Sequence, residues 1–530
     1  MLCCNGRDRA DAHAETRLTS REHPAKNAKQ RIRTTVKDRT EYGIGAEGKD
    51  LDWNLIPWDF IENSIRKLRQ RIFRATREQK WNKVRSLMKL MLRSFFNLLT
   101  SVRRVTQQNK GKKTAGVDNE VALTAKRRMA LVKSMGKYTI WKAKPTKRIY
   151  IPKPGKPGQK RPLSIPTVRN RVAQAMVKNA MEPCWEAQFE SNSYGFRPGR
   201  SIHDAIAHCW IAFNGSKQRV WILDADLKSA FDQISHKHIM EVLAQMPGRE
   251  LVKQWLEAGY VESEIFYATE CGAPQGGVIS PLILNVALHG LQQQLGKAIG
   301  YIRYADDLLL YARTRREIEE LQLVVNDWLQ KRGLALHPEK TRIVHINNGF
   351  NFLGFSVKRY GGKCLIKPQK DKVLSFLSNL RLWLNKHKQA VAENVIRHFN
   401  PILRGWSNNY RHVVSKQVFS YVSCQVWKML WKWCLRRHPK KGRDWVRRKY
   451  FTSHRNVAWT FHAQHGDRIF YLYNVALVPI ERHVKVKETA SPDDPALRDY
   501  WQKRRAPSSR RKEGTRKAPP PQVESDARAV

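Results

Sequence analysis

The first regular pattern along the chain is helical, and it begins near "LDWNLIPWDF" at residues 51–60. Apolar residues then recur every three or four positions in two successive stretches, which contain Ile61, Ile65, Leu68 and Ile72, and then Trp81, Val84, Met88, Met91 and Phe95. This spacing places the apolar side chains of each stretch on one helix face, with Lys and Arg on the other faces. The pattern therefore predicts a pair of basic amphipathic helices.

The pattern changes near residue 148 to short apolar runs that are typical of strands, namely "RIYIPK", "VWILDAD", "IRYAD" and "LLLYA". Helical stretches and turns rich in Gly and Pro separate these runs, which predicts a mixed α/β domain. After "NFLGFSVKRYGGKC" the helical period returns, and in "SYVSCQVWKMLWKWCLRR" one helix face contains Val422, Val426, Met429 and Trp433. We therefore expect an α-helical module after the α/β domain.

The two ends of the chain lack this patterning. Residues 1–50 are polar and basic with almost no periodicity, and residues 503–530 are basic and contain several prolines, so both are predicted to be disordered. No apolar run reaches the ~18 residues of a membrane span, and none of the eight cysteines forms a C-x-x-C pair. We expect a cytoplasmic protein with reduced cysteines and no membrane partner.

The net charge of the chain narrows the choice of binding partner. The sequence contains 98 Lys and Arg against 46 Asp and Glu, which gives a formal net charge of +52. Such an excess repels itself unless a polyanion lies nearby, so nucleic acid is the leading partner and an anionic membrane surface is the second candidate. The 17 Trp residues imply packed cores and argue against a merely disordered basic chain.

Two pairs of aspartates stand out against this basic background. Asp224 and Asp226 end the run "VWILDAD", and Asp306 and Asp307 lie between two apolar runs in "GYIRYADDLLLYA". Strand alternation places Asp224 and Asp226 on one face. Because unpaired buried carboxylates are costly, such groups have a cation, a basic partner or water beside them. Spacing alone leaves two interpretations open: ordinary salt bridges, or carboxylates that hold two Mg²⁺ ions for an in-line phosphoryl displacement.

Seven ordered blocks of sequence carry a resemblance to a known family. They are "RIYIPKPGKPGQKRPLSIPTVRNRVAQ" (148–174), "SYGFRPGRSIHDAI" (193–206), "DADLKSAFDQI" (224–234), "GAPQGGVISPLILN" (272–285), "RYADD" (303–307), "RGLALHPEKTRI" (332–343) and "FNFLGF" (350–355). A lone Y-x-D-D motif recurs by chance, whereas seven ordered blocks are specific. The chain resembles the reverse transcriptases encoded by group II introns, the intron-encoded maturases of bacterial type. The stretches "SVRRVTQQNKGKKTAGVD" and "NPILRGWSNNYRHVV" extend the resemblance to residues 52–502.

The resemblance implies a fold and a domain order. The fold is an α/β right-hand polymerase, with fingers and an antiparallel palm sheet, followed by an α-helical thumb/maturase domain. Between the disordered arm and tail, the expected parts are a helical N-terminal extension (51–125), the fingers and palm (126–360), the thumb/maturase domain (361–455) and a DNA-binding region (456–502).

The resemblance also implies a catalytic site. Asp226, Asp306 and Asp307 would be the catalytic metal ligands, with the carbonyl of Leu227 as an extra ligand, and Asp224 would be a spare acid. The implied cofactor is two Mg²⁺ ions, for which Mn²⁺ can substitute. The residues implied to bind the dNTP are Lys153, Arg161, Phe231, Gln275 and Lys340. Among these, Phe231 would lie under the sugar and reject a 2′-OH, and Lys340 would be a candidate general acid for the leaving pyrophosphate.

Cations beside aromatic residues are typical of phosphate contact combined with base stacking. The implied nucleic-acid contacts are Arg197, Arg200, Gly276, Gly277, Arg404, Trp406, Tyr410 and Arg411. For Trp427, Trp431 and Trp433 we favour an ordinary core instead. The implied partners are group II intron RNA in a ribonucleoprotein, template RNA, a DNA primer, target DNA and dNTPs.

The implied function is synthesis of DNA on an RNA template during retrohoming, together with a maturase activity that binds intron RNA to promote splicing. One alternative is a splicing factor that acts only as a maturase, and another is a reverse transcriptase of retron, diversity-generating or CRISPR-associated type. No C-terminal His-Asn-His endonuclease is expected, because no cysteine follows Cys434 and the last histidines show no paired metal-ligand spacing. Those histidines are His454, His462, His465 and His483.

Overall fold

The structure is a computed structural model, and it describes residues 52–136, 142–152, 158–296 and 298–506. The predicted basic arm therefore lies outside the described residues. The N-terminal part consists of helices α1 (Trp58–Arg77), α2 (Trp81–Arg93), α3 (Phe95–Arg103), α4 (Ala125–Met135) and α5 (Val168–Glu186). Shorter helical turns follow the same path at Trp53–Leu55, Arg104–Gln108 and Lys110–Lys113. The predicted pair of amphipathic helices is present as α1 and α2, whose apolar faces pack with α3 against the largely buried α5.

An outer sheet of four strands follows this helical part. It contains β1 (Thr146–Pro152), β2 (Lys160–Ile165), β4 (Tyr260–Glu262) and β5 (Ile265–Tyr267), in the order β2-β1-β4-β5. The pairs β1/β2 and β4/β5 are antiparallel hairpins, and a short parallel contact joins β1 to β4. This sheet is largely exposed, with Ile149, Tyr150 and Ile151 on its surface.

A central sheet of four antiparallel strands lies in the middle of the chain. Its members are β3 (Trp221–Asp226), β6 (Gly300–Tyr304), β7 (Asp307–Ala312) and β8 (Arg342–His345), in the order β6-β7-β3-β8. Both faces of this sheet are covered, because Leu223 and Leu310 join one hydrophobic core while Ile222 and Leu309 join a second. A sheet buried on both faces needs apolar residues at successive positions, which explains the continuous apolar runs in its strands.

Seven helices connect and cover the two sheets. They are α6 (Ile202–Phe213), α7 (Ala230–Gln233), α8 (His236–Leu243), α9 (Arg249–Glu257), α10 (Ser280–Ala287), α11 (Leu291–Leu295) and α12 (Arg315–Gln330). A capping box at Thr314 and Glu317 begins α12, which contacts β3, β7 and β8. The first core therefore joins the N-terminal helices to one face of the central sheet.

The predicted helical module is present, although strands interrupt it. Its helices are α13 (Lys370–Lys386), α14 (Ala392–Tyr410), α15 (Lys416–Arg437), α16 (Arg443–Tyr450) and α17 (Arg498–Arg505). A small sheet precedes them, formed by β9 (Phe350–Phe352), β10 (Phe355–Tyr360) and β11 (Lys363–Pro368). A second small sheet follows α16, formed by β12 (Phe451–His454), β13 (Val457–His465) and β14 (Arg468–Tyr471), with 3₁₀ turns at Val475–Leu477 and Pro495–Leu497. The helical period did not predict this second sheet.

The second core joins this C-terminal part to the other face of the central sheet. The predicted tail begins at residue 503, but α17 continues to Arg505, so the first three tail residues are helical because Trp501 anchors their helix in that core. No helix in the described parts of the chain is long and apolar enough to cross a membrane.

Candidate active site

The two adjacent aspartates lie at a tight hairpin between β6 and β7. Tyr304 ends β6, Asp307 begins β7 and pairs with Tyr304, and Ala305 and Asp306 form the turn. Ala305 has a φ of 59°, a left-handed conformation that is costly for a residue with a side chain. The strands on either side of the turn are buried in the cores, so packing holds the turn in this conformation.

The fold brings the three predicted catalytic aspartates together. Asp226, the last residue of β3, is the direct cross-strand partner of Asp307. Immediately after the strand, the backbone N–H of Leu227 donates to the carbonyl of Asp306 at 3.3 Å. Directly opposite residues of an antiparallel pair present their side chains on the same face. The carboxyl groups therefore converge at one end of the central sheet, although about eighty residues separate them in sequence.

The carboxylate cluster carries negative charge that the nearby cations balance only in part. Burial raises the pKa of Asp307 to about 7, and the neighbouring carboxylates Asp306, Asp226 and Asp224 add to the rise. Burial and Asp226 likewise raise the pKa of Asp306, against the opposing effects of Arg161 and Lys340. Clustered carboxylates with raised pKa values are what a hard divalent cation relieves, because carboxylate oxygens are the ligands that Mg²⁺ prefers. The donor set thus fits the implied metal.

Lys340 contacts this cluster directly. Its ammonium group forms an ion pair with Asp226. The loop that carries it is fixed to the sheet, because the backbone N–H of His337 donates to the carbonyl of Asp226 at 2.8 Å. The structure places Lys340 against Asp226, and its predicted contact with a triphosphate stays a prediction.

Asp224 has a different partner from the other three acids. Its carboxylate forms a salt bridge of 3.4 Å with Arg342, the facing residue of β8. Burial nevertheless raises its pKa to about 6, because Arg342 only partly offsets the burial. Asp224 therefore has the structural pairing expected of a spare acid.

A buried polar chain supports the hairpin from behind, and no prediction included it. The guanidinium of Arg303, which is 2% exposed, donates from Nη1 to Asn285 at 3.0 Å and from Nε to the Tyr301 hydroxyl at 2.8 Å. The amide of Asn285 then donates to the carbonyl of Gly195 at 2.9 Å. A Cβ on Gly195 would lie only 2.9 Å from the carbonyl carbon of Tyr304 and 3.0 Å from Cα of Ala305. Gly195 is thus packed against the turn between β6 and β7 with no room for a side chain.

The sequence offered a signal for this support. Gly195 and Asn285 lie inside the quoted blocks "SYGFRPGR" and "GAPQGGVISPLILN", and Arg303 precedes Tyr304 in "RYADD". Their roles could not be derived from spacing, because the contacts join different blocks, and Asn285 and Gly195 lie 90 positions apart.

The residues expected to bind dNTP surround one side of the carboxylates. Arg161 is exposed on β2 and lies close enough to Asp306 to lower its pKa. Phe231 is half-buried and makes an edge contact with Phe196, with their ring centroids 6.2 Å apart. Gln275 is half-buried, and its carbonyl accepts a hydrogen bond of 2.6 Å from Ser164 of β2. Lys153 lies outside the described residues.

The two glycines after Gln275 differ in exposure. Gly276 is exposed with a φ of 116°, and a Cβ there would lie 2.6 Å from the carbonyl oxygen of Ser164. Gly277 is buried, and a Cβ there would lie 2.5 Å from Oγ of Ser280. Only Gly276 therefore has the exposure that a nucleic-acid contact needs.

Arg197 and Arg200 do not have the exposure that a nucleic-acid contact requires. Arg197 forms a buried bidentate pair with Glu186, with both N···O distances 3.0 Å. Arg200 is 9% exposed and donates to the carbonyl groups of Ser191 and Glu488. The guanidinium groups of both arginines are used within the protein, so the contact of Arg197 and Arg200 with nucleic acid stays a prediction that this structure does not favour.

The predicted RNA contacts on α14 divide in a similar way. Arg404 is exposed, while Tyr410 is 6% exposed and donates its hydroxyl to the carbonyl of Gly354 at 3.3 Å. Trp406 is half-buried and stacks on Phe376 at 4.8 Å. Arg411 forms a salt bridge of 3.0 Å with Glu481. Tyr410 is therefore a core residue, and Arg404 keeps the freest surface of the four.

The tryptophans of α15 are packed, in agreement with the core interpretation. Trp433 is 6% exposed, and Trp427 and Trp431 are half-buried and stack on each other at 5.9 Å.

Family comparisons agree with this architecture in three successive regions. The family described as reverse transcriptase (RNA-dependent DNA polymerase) matches residues 151–357, which include every strand of the central sheet. The N-terminal domain of reverse transcriptase matches residues 53–135, and the group II intron maturase-specific domain matches residues 373–451. A mixed α/β domain of this family with three aspartates at one sheet end defines a reverse transcriptase domain.

Comparison with curated proteins narrows this class. The chain is 30% identical over 388 residues to Protein YkfC of Escherichia coli (strain K12), a match that covers 63% of this chain and 96% of that protein. It is 25% identical over 406 residues to the group II intron-encoded protein LtrA of Lactococcus lactis subsp. cremoris, covering 57% of this chain and 66% of LtrA. Maturase-like protein 1 of Euglena longa is 25% identical over 370 residues, covering 68% of this chain and 78% of that protein. The chain belongs to the group II intron reverse transcriptase/maturase family.

Proposed function

We propose that this chain is the RNA-directed DNA polymerase of a group II intron, which copies intron RNA into DNA during retrohoming. The observation that carries the proposal is the convergence of Asp226, Asp306 and Asp307 at one end of the central sheet. In this proposal the central sheet is the palm, the outer sheet belongs to the fingers, and α13 to α16 form the thumb/maturase domain. The raised pKa values of Asp306 and Asp307 support it, because they indicate negative charge that the nearby cations only partly balance.

The three aspartates would hold two Mg²⁺ ions, with the carbonyl of Leu227 as an extra ligand. The ions supply activation of a primer 3′-OH and neutralisation of charge on the triphosphate. The contribution of the chain itself is placement. The β3/β7 ladder fixes Asp226 opposite Asp307, and the hydrogen bond from Leu227 fixes the backbone of Asp306. Preorganised ligands need no rearrangement during the reaction.

Lys340 would serve the leaving group. Its ammonium already lies at the carboxylate cluster, within reach of a triphosphate bound at this end of the sheet. From there it would neutralise charge on the triphosphate and donate a proton to the departing pyrophosphate. Arg161 approaches Asp306 from β2 and would bind the same triphosphate, together with Lys153.

Phe231 and Gln275 would select and position the nucleotide. Phe231 presents a half-buried ring beside Phe196, where it would block a ribose 2′-OH and so restrict the substrate to dNTPs. The Gln275 side chain would contact the incoming nucleotide, and Gly276 would allow a close approach of the template backbone.

The maturase activity would use the basic C-terminal part to bind intron RNA and promote splicing. Arg404 on α14 is an exposed cation at which RNA phosphate contact is expected, and the net charge of +52 favours RNA in general. The region 456–502 would contact target DNA. The match to the maturase-specific domain supports the assignment to intron RNA over retron, diversity-generating or CRISPR-associated enzymes.

A primer-extension assay separates the polymerase from a protein that acts only as a maturase. We expect Asp306→Ala and Asp307→Ala to abolish dNTP incorporation on an RNA template with Mg²⁺, while splicing-related RNA binding is retained. Asp327→Ala is the matched control, because Asp327 pairs only with Lys331 on the exposed surface of α12 and should leave synthesis unchanged. Synthesis near the wild-type rate by either active-site variant would show that the metal assignment is wrong.

A second assay tests substrate selection. Phe231→Ala should incorporate ribonucleotides more readily than the wild type. Phe196→Ala is the control, because it removes only the neighbouring ring. Equal discrimination against rNTPs in the wild type and in Phe231→Ala would contradict the proposed role of Phe231.

A further inference from the structure

Three histidines from distant parts of the chain meet in one cluster. His203 lies at the start of α6, His412 follows α14, and His483 lies in the segment between the last 3₁₀ turns. Their ring centroids are 4.7 to 5.5 Å apart. One ring nitrogen from each histidine lies within 4.8 Å of the corresponding nitrogens of the other two. Sequence spacing does not predict this cluster, because its three histidines lie far apart in the chain.

Hydrogen bonds to the protein settle which nitrogen of two of these rings carries a proton. His203 Nε2 lies 2.8 Å from the carbonyl oxygen of Asn409, and His412 Nδ1 lies 2.6 Å from the carbonyl oxygen of Glu481. A carbonyl oxygen can only accept a hydrogen bond, so each of these nitrogens is the donor. Nδ1 of His203 and Nε2 of His412 are therefore left with a lone pair.

His483 is oriented by a carboxylate in the same way. Its Nε2 lies 2.9 Å from Oδ1 of Asp204, a completely buried side chain. The same oxygen also accepts from the backbone N–H of Val486 and from Nη2 of Arg504 at 2.6 Å, and that Nη2 lies 3.2 Å from His483 Nε2. Because a carboxylate oxygen can only accept, the shorter contact with Asp204 makes His483 Nε2 the donor. This leaves Nδ1 of His483 with a lone pair. Histidine ligands of metals characteristically donate their other N–H to a carbonyl or a carboxylate, and all three rings have such a partner.

The distances between the ring nitrogens can be compared with those of a zinc site. With Zn–N bonds of about 2.0 to 2.1 Å, tetrahedral ligands lie roughly 3.3 Å apart. One nitrogen of each ring lies within 4.8 Å of a nitrogen of the other two, which is wider than this spacing, so zinc binding requires the half-buried rings to move closer together. Three imidazoles form a ligand set suited to Zn²⁺ rather than to Mg²⁺, and a water molecule would complete the tetrahedron.

We propose that His203, His412 and His483 bind one Zn²⁺ ion that ties the C-terminal segment to the reverse transcriptase domain and the maturase helices. The three ligands come from α6, the end of α14 and the segment 479–494, so one ion cross-links parts of the chain that 280 positions separate. The contacts already present follow the same path, because Arg504 of α17 and His483 both contact Asp204 of α6. The ion would cross-link these segments, and its site is separate from the carboxylates of the central sheet.

The test measures zinc bound to the purified full-length chain by elemental analysis, after dialysis in millimolar Mg²⁺ that keeps the carboxylate cluster occupied. We expect about one zinc ion per wild-type chain, and at least a tenfold loss of zinc affinity in each of His203→Gln, His412→Gln and His483→Gln. His454→Gln is the matched control, because His454 is equally half-buried but lies outside the cluster. It should retain the zinc.

A second measurement uses the wild type alone and so does not depend on the folding of the variants. Co²⁺ loaded in place of Zn²⁺ should give the intense visible absorption of a four-coordinate nitrogen site, and zinc should slow proteolysis of the segment 479–506. Absence of zinc from the wild type, an unchanged zinc content in all three variants, or a weak six-coordinate Co²⁺ spectrum would each overturn the proposal. These outcomes do not depend on polymerase activity, so failure of the zinc site and failure of the proposed polymerase are distinguishable.

Discussion

Gly195→Ala is expected to displace the hairpin that carries Asp306 and Asp307 without touching either carboxylate. The α-carbon of Gly195 faces the turn, and an added Cβ would lie 2.9 Å from the carbonyl carbon of Tyr304 and 3.0 Å from Cα of Ala305, with Ala305 N closer still. These neighbours are backbone atoms, which cannot rotate away as a flexible side chain would. The backbone of Gly195 does not adopt a left-handed φ, so the effect of the substitution is steric.

The size of the effect follows from these distances. Ordinary Cβ contacts begin near 3.4 Å, so the turn or the "SYGFRPGR" segment must shift by several tenths of an ångström, and by on the order of 1 Å at Ala305 N. Asp306 and Asp307 are in or next to this turn, and a misplacement of about 1 Å in a catalytic geometry can cost about 100-fold in rate. Overpacking of this kind costs about 1 to 3 kcal/mol of stability.

The assay is steady-state dNTP incorporation on an RNA template, with the melting temperature recorded for each variant. We expect kcat to fall by about 100-fold, while the chain remains folded at the assay temperature. Gly442→Ala is the matched control, because a Cβ there meets no atom within 4 Å and the φ of Gly442 is −67°. A Gly195→Ala enzyme with both wild-type kcat and wild-type stability would refute the claim that this glycine positions the hairpin.

Three further predictions follow from charge and burial. The pKa of Asp307 is about 7 in the folded chain against an ordinary 3.8, so between these pH values the folded state holds one more proton than the unfolded state. In the absence of divalent cations, the free energy of unfolding therefore falls as the pH rises from about 4 to 7. Asp307→Asn should therefore raise the free energy of unfolding by about 1 to 3 kcal/mol at pH 8, as measured by denaturant titration, and added Mg²⁺ should shrink this difference. Arg197→Met should cost about 3 to 5 kcal/mol by leaving Glu186 buried and unpaired, and the double change with Glu186→Leu should recover most of this loss in the same titration. Arg404→Ala should instead leave the melting temperature unchanged and reduce the salt dependence of intron RNA binding by about one phosphate contact, and an unchanged salt slope would argue against that contact.

The sequence was sufficient for the parts of the fold that depend on local periodicity. The apolar runs around Asp226 and Asp307 predicted strands, and the motif order brought the aspartates together on one domain. Alternation also placed Asp224 and Asp226 on one face, and the second core contains Ile222 of that face while Leu223 of the opposite face joins the first core. These features are local, so neighbouring residues determine them.

The sequence does not predict exposure where a side chain's partner lies far away in the chain. Arg197 occurs in a motif rich in Arg and Gly, which is typical of phosphate contact, yet its partner Glu186 on α5 buries it. Tyr410 follows Arg404 and Trp406 on α14, but Gly354 and Phe355 from the small sheet before α13 contact it. Composition near a residue predicts its chemistry, whereas burial depends on tertiary contacts that a single sequence does not display.

The location of the carboxylates at the end of a doubly covered sheet explains how the fold maintains them. A pKa of about 7 against an ordinary 3.8 corresponds to at most about 4 kcal/mol of unfavourable interaction for the ionised Asp307, and partial solvent access lowers this figure. The apolar residues Leu308 to Leu310, each no more than 3% exposed, anchor the strand that carries this charge. On the other strand of the hairpin, Arg303 donates a hydrogen bond to Asn285 of α10. Asn285 in turn donates to Gly195 and holds the segment of Gly195 against the turn. Because the hairpin is fixed on both sides, the repulsion among the carboxylates cannot relax by moving them apart, and it remains available to strengthen the binding of a cation.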